Sequence, residues 1–181
     1  MRMGNSLKKR KSHNNTNEMP IQPGHLIPSL KMSRMRTTTP PTLILFCLIG
    51  MLALHSILPL GSIFSWTLLV CGVGLIALGL VIAFGAESQF RRNGTTVDHL
   101  GMAAKLVTDG WFKYSRNPMY LSFVIMLTGA WLTLGSISPF LGVLVYILLI
   151  ERWYIMPEEK RLVATFGKQY ESYRIGTRRW L

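Results

Sequence analysis

The chain has 181 residues, of which 49% are hydrophobic and only 15% are charged, and its formal net charge is +12. This length suits one domain, and the apolar composition favours a membrane protein over a soluble one. So basic a soluble protein would suggest a nucleic-acid partner, but here the cations flank apolar segments and indicate contact with membrane lipids instead. The four His residues are scattered and the two Cys residues lie inside apolar runs, so no metal site is predicted.

The distribution of positive charge predicts a topology. All 20 Lys and Arg residues lie in three polar segments, at 1–36, 91–116 and 152–179, and pairs of apolar runs separate these segments. The short links at 59–62 and 135–138 carry no Lys or Arg. Because basic loops stay on the cytoplasmic side of a membrane, we expect an integral, multi-pass membrane protein with both termini and the middle segment in the cytoplasm.

The N-terminal segment contains no apolar run. Residues 1–41 are polar and rich in Ser, Thr, Asn and Pro, which predicts a disordered basic tail ahead of a membrane domain at 42–181. The absence of an apolar run argues against a secretory signal peptide, and an organelle transit peptide is the other interpretation.

Apolar runs predict transmembrane helices at 43–60, 63–85, 119–134 and 137–155. A bilayer core about 30 Å thick needs roughly 20 helical residues, so the third run is short. Pro59 and Gly61 predict a tight turn between the first two runs, while Gly135 and Pro139 are typical of a helix end and a helix start. The predicted fold is therefore an all-α integral membrane protein with about four transmembrane helices in two hairpins.

The C-terminal segment, 157–181, predicts a cytoplasmic amphipathic helix. Pro157 suits the first helical position, and Glu158 and Glu159 fall in the first turn, where the helix dipole favours acids. Apolar and aromatic residues recur at helical spacing along one face, at Leu162, Phe166, Tyr170 and Tyr173.

Two features inside the predicted spans are explained more simply by helix packing than by nucleotide binding or proton transfer. Residues 72–77 match the pattern G-x-G-x-x-A, but a nucleotide fingerprint needs a strand, a turn and a helix. Small residues inside a span more often let two helices approach closely. His55 lies near the end of the first run, where a hydrogen bond between helices is the favoured role and proton transfer the second.

Two blocks of polar and aromatic residues carry the functional signal. Residues 109–120 read Asp-Gly-Trp-Phe-Lys-Tyr-Ser-Arg-Asn-Pro-Met-Tyr. Taken alone, this block predicts a helix start, with Asn117 as N-cap, Pro118 as first residue and Tyr120 as interface anchor. The second block reads Glu158-Glu159, then Phe-Gly-x-x-Tyr-x-x-Tyr over 166–173, and taken alone it predicts an amphipathic helix on the membrane.

Together the blocks resemble the isoprenylcysteine carboxyl methyltransferase family and the related membrane phospholipid methyltransferases. The resemblance covers about residues 63–180 and rests on these segments: Gly110-Trp111-Phe112, Arg116-Asn117-Pro118-Met119-Tyr120, Glu158-Glu159, Phe166-Gly167 with Tyr170 and Tyr173, and Arg178-Arg179. Asn117 stands where the isoprenylcysteine enzymes usually have His, and Trp111 replaces the usual Pro. These departures bear on the substrate more than on the cofactor.

The resemblance implies S-adenosylmethionine as methyl donor, in a cytoplasmic pocket formed by both blocks. It assigns catalytic roles to Arg116, Asn117 and Tyr120. It assigns donor binding to Gly110, Arg116, Pro118, Tyr120, Glu158, Glu159, Tyr170 and Tyr173. Carboxylates can accept hydrogen bonds from ribose hydroxyls or an amino group, aromatic rings can hold a sulfonium, and a guanidinium can bind a carboxylate.

The acceptor remains open at this level. The expected reaction is carboxyl O-methylation of a lipid-linked, isoprenylcysteine-type substrate, because an ionised carboxylate needs no base. N-methylation of a phospholipid amine, or methylation of another small apolar acceptor, is the alternative within the enzyme class. A membrane scaffold whose basic tails bind anionic lipid is the rival outside it. The paired blocks argue against the scaffold, which would need charge but no specific Arg-x-Pro-x-Tyr pattern.

Overall fold

The computed structural model of the chain describes residues 39–92 and 106–181. The predicted basic tail lies almost entirely outside the described residues, as does much of the basic middle segment, so their organisation remains a prediction. The described part of the chain is helical and contains no β-strand beyond one isolated bridge, between Ser62 and Ser136.

The described helices are α1 (Pro40–Ile57), α2 (Trp66–Arg92), α3 (Trp111–Tyr114), α4 (Pro118–Leu134), α5 (Phe140–Ile150), α6 (Met156–Phe166) and α7 (Lys168–Gly176). Within the described part, three helical stretches are long and apolar enough to cross a membrane: α1, α2 and the continuous stretch Phe140–Phe166. The apolar α4 has 17 residues, about 25 Å at 1.5 Å per residue. These helices confirm the all-helical membrane class.

The C-terminal helical segment differs from the prediction. A π-helical turn, Glu151–Ile155, joins α5 to α6 without a break. The wide turn ends two residues before Pro157, whose missing N–H and bulky ring interrupt the α-helical hydrogen-bond ladder. The break comes instead at Gly167, where φ is +50° and glycine avoids a steric cost. The predicted single helix over 157–181 is therefore wrong, because two short helices, α6 and α7, form this region.

Of the two predicted helical hairpins, the described residues form one. The α4–α5 hairpin is present, with Gly135 in the left-handed region at φ +69°. By contrast, α1 packs against α5 and α4, while α2 packs against α4. The link after α1 is bonded to the α4–α5 turn, with Ile63 N–H donating to the Gly135 carbonyl at 2.9 Å and Ile137 N–H to the Leu60 carbonyl at 2.9 Å. This pairing holds the link at that turn, with α1 against α4 and α5 and α2 against α4.

Close approach of glycines sets the crossing of α2 and α4. A Cβ atom added at Gly72 would lie 2.7 Å from the Gly129 carbonyl oxygen, and one added at Gly129 would lie 2.5 Å from that of Gly72. No side chain fits between backbones at that distance, so Gly72, the first glycine of the G-x-G-x-x-A pattern, serves helix packing. His55 likewise bonds another element, with its Nδ1 2.8 Å from the Ser136 hydroxyl.

A buried core joins α1, α4 and α5 to the π-helical turn. Its fully or nearly fully buried members are Leu43, Cys47, Met51, Tyr120, Leu127, Val143, Tyr146, Ile150 and Ile155. Trp180, near the end of the chain, packs against this cluster. The core therefore brings the start of α4, the start of α6 and the last residues of the chain to one end of the bundle.

Candidate active site

The C-terminal segment lies across the start of α4. The Arg116 N–H donates to the Arg178 carbonyl at 3.0 Å. The Arg179 carbonyl accepts from Ser115 Oγ at 3.3 Å and from Asn117 Nδ2 at 3.1 Å. Asn117 occupies the N-cap position of α4 but makes no capping bond with its side chain, which the Arg179 carbonyl uses instead. Asn117 therefore ties two distant parts of the chain together.

An ion pair joins the two sequence blocks at this place. Arg116 Nη1 lies 3.1 Å from Glu159 Oε1, and the two side chains are only 9% and 11% exposed. The same nitrogen lies 3.4 Å from the Tyr170 hydroxyl oxygen, a long hydrogen bond. Arg116 of the first block thus lies within reach of both α6 and α7, as the resemblance implied for residues that share a pocket.

Arg179 holds Glu159 from the other side. Its Nε donates to Glu159 Oε1 at 3.2 Å and its Nη2 to Oε2 at 2.8 Å, which is a two-pronged contact. Its Nη1 donates to Glu151 Oε1 at 2.6 Å. The hydrogen bonds with Glu159 raise the pKa of the Arg179 guanidinium, which therefore stays charged. Sequence reasoning recorded Arg179 only as part of the terminal pattern and did not place it in the site.

The adjacent glutamates have different surroundings. Glu159 is buried between two guanidinium groups, whereas Glu158 Oε2 accepts a hydrogen bond from the Tyr120 hydroxyl at 2.9 Å. The cluster of Arg116, Glu151, Glu158, Glu159 and Arg179 contains three carboxylates and two guanidinium groups. It therefore carries one excess negative charge, at Glu158, which suits a cationic ligand.

The two tyrosines of α7 contact each other, and Tyr170 contacts Arg116. Tyr170 is fully buried and its ring meets that of Tyr173 edge to face, with centroids 6.1 Å apart. Burial, followed by the negative charge of Glu159, raises the pKa of Tyr170. The Tyr173 hydroxyl donates to the Phe112 carbonyl at 2.5 Å. Burial raises the pKa of Tyr173 to about 12, so both hydroxyls are neutral at physiological pH.

Arg116 Nε has no hydrogen-bond partner although it is buried. A buried donor without a partner costs about 1–3 kcal/mol, more if it is charged. A ligand carboxylate is one group that could accept a hydrogen bond from such a donor.

Gly110 and Pro118 contribute backbone geometry. Gly110 adopts φ +56° at the start of α3 and packs on the side chain of Gln89. It lines a separate cavity of about 500 Å³ with residues of α2 and α3: Gly85, Ser88, Gln89, Arg92, Trp111 and Tyr114. Pro118 is the buried first residue of α4. The structure therefore does not bring Gly110 to the charged cluster, whereas it does bring Arg116, Asn117, Tyr120, Glu158, Glu159 and Tyr170 together there.

The fold and site together define a helical membrane protein with a buried charged cluster at one end of its bundle. The sequence profile of the phospholipid methyltransferase family matches residues 67–169. This match covers more than half of the chain, includes Glu158 and Glu159, and ends one residue before Tyr170. The chain belongs to the phospholipid methyltransferase family, which places it among the membrane methyltransferases.

Individual relatives support the same class. An uncharacterized protein of Haemophilus influenzae is 41% identical over 63 residues, which are 35% of this chain and 100% of that protein. The protein-S-isoprenylcysteine O-methyltransferase of Schizosaccharomyces pombe is 39% identical over 112 residues, 56% of this chain and 44% of that enzyme. The match therefore spans less than half of the S. pombe enzyme. No solved structure matches the chain.

Proposed function

We propose that the charged cluster binds S-adenosylmethionine and that the protein transfers its methyl group to a lipid-linked acceptor. The observation that carries this proposal is the pairing of an excess carboxylate, Glu158, with an unpartnered buried donor, Arg116 Nε. A sulfonium, an ammonium and a carboxylate give the donor a net positive charge. That charge and those groups complement the cluster.

The residues present fit the donor group by group. Arg116 Nε can donate to its carboxylate. Glu158 can accept from its ammonium or from a ribose hydroxyl. The rings of Tyr120, Tyr170 and Tyr173 can stabilise a sulfonium through cation–π attraction. Glu159 and Asn117 already have protein partners, so we assign them to holding the site. Pro118 shapes the backbone at the start of α4, and Gly110 shapes the backbone at the start of α3.

S-adenosylmethionine, when bound, supplies an activated methyl group that forms a bond to the acceptor oxygen while its bond to sulfur breaks and the electron pair stays on sulfur. Since the donor is already activated, the protein's residues act mainly by alignment and by exclusion of water. Burial of Arg116 and Tyr170 excludes water from one wall. The hydrogen bond from Tyr120 orients Glu158.

The best-supported acceptor is the carboxylate of an isoprenylcysteine-type lipid. Similarity to the S. pombe enzyme supports this class, and a carboxylate needs no base. The family profile favours a second candidate, a phospholipid amine, for which Glu158 could accept the departing proton. In either case the exposed apolar surfaces of the helices would contact the lipid tail.

We propose a topology of four spans, with α4 as the short one and both termini on the cytoplasmic side. The link after α1 and the α4–α5 turn, which carry no Lys or Arg, would lie on the opposite side. The amphipathic α6 and α7 would then lie at the cytoplasmic membrane surface, beside the charged cluster. Reporter fusions at Gly61 and at the C-terminus should report opposite sides, and reports from the same side would contradict four spans.

Methyl transfer by the purified protein tests the function. The protein in lipid nanodiscs would receive donor labelled in its methyl group and either a prenylated cysteine or phosphatidylethanolamine. Base-labile label in the prenylated cysteine indicates a methyl ester and supports the first candidate. Base-stable label in the phospholipid supports the second. Label in neither, with donor binding also absent, would overturn the proposal.

A further inference from the structure

We propose that Arg179 is a positioning residue that holds Glu159, and through Glu159 the Arg116 guanidinium, in the geometry that donor binding requires. This inference rests on the proposed function. Arg179 lies outside the residues that we assign to donor contact, and its role comes from a chain of contacts that begins at Glu151.

The contacts of Arg179 are directional. Two of its nitrogens meet the two oxygens of Glu159, at 3.2 and 2.8 Å, and the third meets Glu151 at 2.6 Å. A planar guanidinium makes such a two-pronged contact, whereas a lysine ammonium is a single point of charge. The orientation of the Glu159 carboxylate therefore depends on an arginine at 179.

The orientation of Glu159 in turn sets the position of Arg116. Glu159 Oε1 accepts from Arg116 Nη1 at 3.1 Å and from Arg179 Nε. With both guanidinium groups in place, Glu159 contacts Arg116 through Nη1. The Nε of Arg116 is left without a protein partner. Loss of Arg179 would leave Glu159 free to turn, and Arg116 free to turn with it.

The backbone of Arg179 also joins the two sequence blocks. Its carbonyl accepts from Ser115 and Asn117, on either side of Arg116. The side chain of Arg179 therefore acts on α6 while its backbone acts on the residues that flank Arg116. The geometry of Arg116 relative to Glu159 depends on this one residue in two ways.

The test measures donor affinity by calorimetric titration of the full-length protein in nanodiscs. Arg179→Lys should weaken S-adenosylmethionine binding tenfold or more, a loss of about 1.4 kcal/mol, and should raise the KM of the donor without raising that of the acceptor. Arg174→Lys is the control, because it makes the same substitution at an exposed position of α7. Its donor affinity should match that of the wild type.

Two further variants keep the test decisive. Glu151→Ala removes only the third contact of Arg179, so it should weaken donor binding by less than tenfold relative to the wild type. This comparison with the wild type tests the role of Arg179 if the Lys variant does not fold. Combining Arg179→Lys with Arg116→Lys should cost less than the sum of the two, because both act on the same contact chain. Wild-type protein that does not bind donor would overturn the proposed function. Donor binding that is normal in the wild type and unchanged in Arg179→Lys would overturn only the role of Arg179.

Discussion

Arg116 and Glu159, one from each of the two sequence blocks, form an ion pair of 3.1 Å in which both side chains are almost fully buried. Replacing a buried ion pair by apolar residues is often neutral or stabilising, so such a pair is weak evidence of a stabilising role. The unpartnered Arg116 Nε and the excess charge at Glu158 support the ligand-binding role proposed for the cluster.

Arg116→Lys should separate a ligand-binding arginine from an interface anchor. Lysine keeps the charge, which is sufficient for lipid phosphate, but it loses the planar donors that a carboxylate can bind. We expect methyl transfer to fall tenfold or more, since one charge-assisted hydrogen bond contributes about 1.5–3 kcal/mol. Expression and membrane insertion should stay normal. Near-normal turnover in the lysine variant would show that Arg116 is only an anchor.

Glu158→Gln should weaken donor binding roughly tenfold to a hundredfold, as expected for one lost charge-assisted hydrogen bond. Its fold should persist, because Glu158 is bound by the neutral Tyr120 hydroxyl and not by a guanidinium. Glu159→Gln is the informative comparison. It removes the negative charge that balances the guanidinium groups of Arg116 and Arg179, so it should also lower thermal stability. Calorimetric titration and thermal unfolding would measure the two effects. Equal stability and unchanged affinity in both variants would remove the glutamates from the site.

The Tyr173 hydroxyl should lose its proton at a higher pH than an exposed tyrosine does. Its pKa is raised to about 12 by burial, so the folded protein keeps this proton between pH 10 and 12 while the unfolded chain loses it. The folded state therefore binds more protons in that window, and the contribution of Tyr173 to stability falls as the pH rises through it. In absorbance titrations near 295 nm, Tyr173→Phe should remove a transition near pH 12. Loss of a transition near pH 10 instead would contradict the partly buried placement of Tyr173.

The crossing of α2 and α4 gives a matched pair of variants in one helix. A Cβ atom at Gly72 would meet the Gly129 backbone at 2.7 Å, whereas one at Gly74 would meet nothing within 4 Å. Gly72→Ala should therefore destabilise the fold by about 1–3 kcal/mol, as overpacking does, and Gly74→Ala should not. Thermal unfolding in detergent would measure both. Equal unfolding temperatures would show that the helices do not cross there.

Much of the architecture could be predicted because apolar runs and flanking charge depend on local composition. The helices of the membrane, and the Gly135 turn between α4 and α5, follow from such local signals. The pairing of α1 with α5 could not be predicted in this way. A short link suggests a hairpin, but the hydrogen bonds between that link and the Gly135 turn are tertiary contacts without a local pattern.

The site was predictable to a similar degree. The motifs placed Arg116 near the second block, where the structure has it. They did not reveal that Asn117 bonds the Arg179 carbonyl, or that Arg179 holds Glu159 with two nitrogens. These contacts depend on where the last residues of the chain lie, which the packing of Trp180 against the core determines. The position of Glu151 is the one sequence signal for such a contact, because a carboxylate beside a span needs a partner.

Direct photo-crosslinking of the methyl donor tests the central claim, that the donor binds at the charged cluster. The purified protein would be irradiated with labelled S-adenosylmethionine, and the labelled residues would be identified by fragmentation mass spectrometry. The account predicts label at Tyr120, Tyr170 or Tyr173, with loss of that label in Arg116→Lys. Label confined to the separate cavity between α2 and α3, at Gln89 or Trp111, would contradict it.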